Sequence, residues 1–151
     1  MVEHGEAAHV VNTASMAGHI AMPYMGAYNV SKYGVVALSE TLSREMQAAD
    51  TSVGVSVLCP AFVQTQIANS TRNLPDELQA EPTEESNAMQ TIVDALVAGG
   101  IETSVVADAV HDAVVDNAFW ILTHPEASAA ITDRAHDIVT GVNPTLNAGL
   151  L

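Results

Sequence analysis

Hydrophobic positions along this chain alternate between strand-like runs and helix-like stripes. HVVNTAS at 9–15 is a short apolar run ending in small polar side chains, as a buried strand does where it meets a loop. Gly18, Pro23 and Gly26 mark GHIAMPYMG as that loop. From about Ala27 to Ala49 the period is helical: Val30, Gly34, Ala37, Leu38, Thr41 and Leu42 share a face, and Gly34 and Ala37 predict close packing on it. VGVSVLC at 53–59 is a second β-branched run, closed by Pro60. Residues 61–82 carry Asn, Pro and charges without periodicity and read as loop. TEESNAMQTIVDALVAGG at 83–100 predicts a helix with acids in its first turn and a stop at Gly99-Gly100. Within 104–117, Val105, Val106, Ala109, Val110, Ala113 and Val114 form the stripe of another amphipathic helix. FWIL at 119–122 reads as a short strand, and THPE at 123–126 as a capping box with Pro125 near the start of a last helix. That helix is predicted to run to Gly141, with a frayed tail beyond.

Strands that alternate with helices point to a parallel α/β sheet with right-handed crossovers. Three strands are few for such a sheet. The 151 residues predict one domain, with the helix at 83–98 set apart as a lid, and no internal repeat or low-complexity segment stands out.

Composition narrows the partners. Eighteen acidic residues against four Lys and Arg give a formal charge of −14, which excludes the basic patch that nucleic acid or an anionic membrane surface requires. No apolar run approaches a membrane span of ~18 residues, and MVEHGEAAHVV lacks a basic n-region, so a soluble cytoplasmic protein is expected. Cys59 stands alone at the end of an apolar run and reads as a buried structural thiol. The six histidines, His4, His9, His19, His111, His124 and His136, show no metal-ligand spacing, so no metal site is predicted; His4 and His9 read as exposed or strand-flanking. Glycosylation-type triplets at Asn29 and Asn69 read as chance matches.

Lys32 is the single lysine, four residues after Tyr28, and Ser15 precedes that tyrosine by thirteen. On a helix, Tyr28 and Lys32 lie one turn apart on one face. A phenol titrates near ~10, and a neighbouring ammonium favours its ionised form, which brings it toward proton transfer near neutrality. Ser15 falls at the carboxyl end of the preceding strand, where open α/β sheets bind ligands. Such a trio suits reversible carbonyl–alcohol chemistry. A tyrosine and lysine four apart are common on surface helices; the serine at the strand end makes the combination specific.

At these residues the chain resembles the short-chain dehydrogenase/reductase family, whose Tyr-x-x-x-Lys motif stands here as YNVSK, Tyr28 to Lys32. The family's catalytic serine segment is matched by NTASMAG with Ser15, and its Pro-Gly…Thr segment by CPAFVQT with Pro60, Ala61, Val63 and Thr65. The resemblance implies a Rossmann-like three-layer parallel sheet and an oxidoreductase that uses NAD or NADP. It implies that Ser15 positions the substrate oxygen, Tyr28 is the acid/base, and Lys32 holds the nicotinamide ribose and lowers the tyrosine pKa. Backbone around Pro60, Ala61 and Val63, with Thr65, would contact the carboxamide. Met89, Ile92, Val93 and Leu96 on the lid helix suit an apolar carbonyl or alcohol substrate, and suit ordinary core packing equally.

The family's Thr-Gly-x-x-x-Gly-x-Gly phosphate loop has no counterpart among the nine glycines, and its Asn-Asn-Ala-Gly and Asp-Gly-Gly segments are also missing. The expectation is therefore a truncated domain, the carboxyl half of a family member starting at an internal methionine. An apolar strand edge at 9–14 and the helix at 27–49 predict a homo-oligomer. The alternatives are a catalytically inactive fragment of this fold, or an epimerase or dehydratase of the extended branch, which also uses a Tyr-x-x-x-Lys pair.

Overall fold

β-Branched residues build three strands, β1 (Ala8–Thr13), β2 (Val53–Leu58) and β3 (Trp120–Ile121). They lie side by side in the order β1-β2-β3, all parallel. Of the chain, the computed structural model describes residues 1–75, 77 and 81–145. These residues form two units, Met1–Ala61 with Asp108 onward, and Phe62–Ala107. The sheet belongs to the first. With a neighbour on each side, β2 is the most enclosed strand, and Val55, Ser56, Val57 and Leu58 are all buried.

A polar chain crosses the sheet at its centre. His9 on β1 stands opposite Gly54 on β2, where a side chain would collide with the imidazole. The ring therefore reaches past Gly54 to Ser56, whose Oγ lies 2.7 Å from His9 Nε2. Ser56 Oγ donates to the Ala118 carbonyl at 2.6 Å, so His9 Nε2 is the donor in the first contact. The reading of His9 as exposed or strand-flanking is corrected: it is a half-buried strand residue with a fixed tautomer.

Helix α1 (Gly26–Ala48) packs on the sheet with a different face from the predicted one. Asn29, Val36 and Ser39 are its buried residues, whereas Val30 (74 % exposed), Gly34, Ala37, Leu38 (62 %) and Thr41 face outward and Leu42 is half-buried. The physical reason lies in Ser39, which has no exposed surface: Asn12 of β1 donates to its Oγ at 3.0 Å and Ser39 donates to the Val35 carbonyl at 2.7 Å. A small hydrogen-bonded residue lets the helix approach the strand as closely as an alanine would. The core of the unit gathers Ala14, Met16, Val36, Val57 and Cys59, with Ile20, Phe119, Leu122 and Ile131 against it.

Helix α3 (Thr103–Val115) buries Ala113 on its predicted stripe, with Val106, Ala109 and Val110 half-buried and Val105 and Val114 exposed at the rim. The predicted capping box at 123–126 does not form. Thr123 bonds His124 instead, a 3₁₀ turn occupies Pro125–Ala127, and the last helix, α4 (Ser128–Thr140), starts without a side-chain cap. It ends as predicted at Gly141, whose φ of 72° is left-handed. Residues 142–145 are coil, and the rest of the predicted tail lies outside the described residues.

In the second unit, helix α2 (Glu84–Ala98) has a capping box: Thr83 Oγ1 accepts from Ser86 N–H and Ser86 Oγ from Thr83 N–H. Val63 forms a parallel bridge with Ile101, and Gly100 fits against the Phe62 backbone, where a Cβ would clash. Part of the predicted loop at 61–82 is a 3₁₀ segment, Ile67–Asn73, to which α2 is tied by Gln90 donating to the Ala68 carbonyl at 2.8 Å. Asp76 and residues 78–80 of that loop lie outside the described residues.

Candidate active site

The carboxyl ends of the three strands carry the candidate chemistry. After β1 the backbone of Ser15 is extended, with φ −173°, and caps the short turn Met16–Gly18: Ala17 N–H donates to Ser15 Oγ at 3.1 Å. Ser15 Oγ in turn donates to the Pro60 carbonyl at 3.3 Å. Gly18 presses this turn onto α1, since a Cβ there would stand 2.8 Å from the Lys32 carbonyl oxygen and 2.9 Å from Val36 Cγ2. Glycine at 18 thus sets the separation between the serine turn and the helix that bears the tyrosine and lysine.

Tyr28 and Lys32 lie one turn apart on α1, as predicted, and both are half-buried. Lys32 Nζ sits 5.6 Å from the Tyr28 ring centroid, within cation–π range. The same ammonium donates to the Thr13 carbonyl at 3.2 Å, at the end of β1 and two residues before Ser15. One cation therefore ties the phenol-bearing helix to the strand end that bears the hydroxyl. Asn29, between them in sequence, donates from Nδ2 to the Met22 carbonyl at 2.9 Å, while its buried Oδ1 has no hydrogen-bond partner in this structure.

Beneath the serine turn, Cys59 Sγ touches His19 Nε2 at 3.3 Å, and Trp120 meets the His19 ring edge-to-face. Burial pushes the Cys59 thiol up to about 11, and burial, with the Arg134 guanidinium, holds His19 below its usual range. Both are neutral near pH 7, so Cys59 is the structural thiol that its place in the sequence predicts.

Ser15, Tyr28, Lys32, Pro60 and Ala61 all belong to the first unit. Val63 and Thr65 belong to the second. There Thr65 lines a cavity of ≈ 620 Å³ with Gln64, Asn69 and Asp94, and its Oγ1 accepts from Ile67 N–H at 3.3 Å. Among the described residues no three His, Cys, Asp or Glu gather as a metal site, and no helix is long and apolar enough to cross a membrane. Sequence reasoning missed His124. It is buried, and its Nδ1 lies 3.2 Å from the Ala61 nitrogen and 2.9 Å from Thr123 Oγ1. The signal available was its place two residues past an apolar run, at a third strand end.

Comparison with known proteins identifies the family and the fold. The short chain dehydrogenase family model matches residues 1–76, half of the chain. A CLA biosynthesis dehydrogenase/reductase of Lactiplantibacillus plantarum is 32% identical over 152 residues, covering 97% of this chain and 53% of that protein. The crystal structure of a short chain dehydrogenase/reductase from Burkholderia phymatum in complex with NAD superimposes with a TM-score of 0.92 at 42% identity, over 97% of this chain and 53% of that one. A short-chain dehydrogenase from Sphingobium yanoikuyae in complex with NADPH shares the fold at a TM-score of 0.59 and 19% identity, over 97% of this chain and 50% of that one. The chain thus spans about half the length of the relatives it matches.

Proposed function

We propose, from the premise that this chain belongs to the short-chain dehydrogenase family, that it carries the proton-handling site of a nicotinamide-dependent oxidoreductase interconverting a carbonyl and an alcohol. The observation that carries the reading is Lys32, whose ammonium stands over the Tyr28 ring and bonds the Thr13 carbonyl beside the serine turn. In this reading Ser15 swings its hydroxyl from the Pro60 carbonyl to the substrate oxygen and orients it. Tyr28 gives a proton to that oxygen in reduction and takes it back in oxidation.

The residues present fit a nicotinamide ribose. Lys32 Nζ has three N–H donors and gives one to Thr13, which leaves two for vicinal hydroxyls. Pro60 and Ala61 would border the carboxamide, and a bound NAD or NADP would supply or take the hydride. On α2, Ile92 and Leu96 are exposed rather than packed in a core. The order of the serine, tyrosine-lysine and proline segments supports reading these residues as the carboxyl half of the family's domain. The outward apolar stripe of α1 and the open edge of β1 support self-association.

A second reading is a catalytically inactive fragment of the same fold. The test is oxidation of NADH or NADPH against a panel of apolar ketones. Turnover that falls about a hundredfold or more in Tyr28→Phe supports the proton role. Equal rates in the two proteins would remove it.

A further inference from the structure

One peptide group at the candidate site, joining Pro60 to Ala61, is held by both of its polar atoms. Its carbonyl oxygen accepts from Met16 N–H at 2.9 Å and from Ser15 Oγ at 3.3 Å. Its N–H donates to His124 Nδ1 at 3.2 Å. That nitrogen therefore bears no proton, the neutral ring carries its proton on Nε2, and the Thr123 hydroxyl also donates to Nδ1, at 2.9 Å.

The imidazole stands where a strand would have continued. Val57 N–H bonds the Phe119 carbonyl and Cys59 N–H the Ile121 carbonyl, so Ala61 N–H is next in line for a carbonyl at position 123. β3 has ended by then, and the buried side chain of His124 supplies the acceptor instead. Three neighbouring strand ends are thereby tied through a single peptide plane: Ser15 after β1, Pro60-Ala61 after β2 and His124 after β3. Turning that plane over would break all three hydrogen bonds at once and leave buried groups unpaired.

We propose that His124 is a positioning residue for Ser15: by accepting the Ala61 N–H it fixes the direction of the Pro60 carbonyl, which holds the Ser15 hydroxyl ready for a substrate oxygen. The proposal rests on the oxidoreductase reading only for what Ser15 does; the clamp is independent of it.

His124→Leu removes the acceptor, whereas His124→Asn places an amide oxygen where Nδ1 stands. Amide exchange followed by NMR is expected to quicken about tenfold at both Ala61 and Met16 in His124→Leu and to return toward the parent value in His124→Asn. Should His124→Leu fail to fold, His124→Gln serves, since its amide reaches the Nε2 position and leaves Nδ1 unreplaced. Where turnover is measured, His124→Leu is expected to lower kcat and to add nothing in a Ser15→Ala background. Unaltered Met16 exchange in a folded His124→Leu protein, or losses that multiply with those of Ser15→Ala, would overturn the proposal. Exchange that responds as expected in a protein showing no nicotinamide-linked turnover supports the clamp and counts against the oxidoreductase reading alone.

Discussion

Lys32 serves two contacts, and they separate by experiment. The hydrogen bond to Thr13 joins an exposed strand end to a half-buried lysine and contributes little to stability, whereas the proposed ribose contact bears on turnover. Lys32→Met is therefore expected to depress turnover strongly while the urea midpoint moves little. The His19–Cys59 pair makes the opposite prediction, in stability rather than rate. His19 is held neutral in the fold, so the unfolded chain binds the extra proton below its ordinary range and stability falls as pH drops through 6.5. Cys59 keeps its proton to about 11, so the unfolded chain ionises first and stability also falls as pH rises above 9. Chemical denaturation from pH 5 to 10.5 should show both declines, and Cys59→Ala should flatten the alkaline one. Ser15, Tyr28 and Lys32 were legible in the sequence because their relation is a spacing along one strand–loop–helix stretch. The contacts of His124 and His19 were not, since each joins residues dozens of positions apart.

Among the elements, α1 shows what periodicity can and cannot tell. The helix and its length were legible, but the stripe from Val30 to Thr41 turned outward, because the sheet accepts the Asn29, Val36 and Ser39 side. Apolar spacing marks a face that avoids water without saying which surface covers it. Under the proposed self-association, Leu38→Glu is expected to shift light scattering toward monomer, and an unchanged mass would exclude this face as the contact. The serine turn is more exacting. Gly18→Ala forces a Cβ into the Lys32 carbonyl and is expected to cost about 1–3 kcal/mol in urea unfolding.

At the scale of the whole molecule, the parallel three-stranded sheet was legible from the alternation of runs and stripes, and so was the likeness to a longer family fold. Its division into two units was not, because no composition shift marks Phe62 or Ala107. The sheet also holds a device that backbone pairing by itself does not provide. A parallel ladder tolerates a neighbour displaced by two residues, since the same side chains would still face inward. Ser56 does not tolerate it: its hydroxyl meets His9 from one neighbour and Ala118 from the other only in the observed alignment. That one oxygen acts as an index pin, spelling out which residues stand abreast across the three strands at a point ahead of their carboxyl ends.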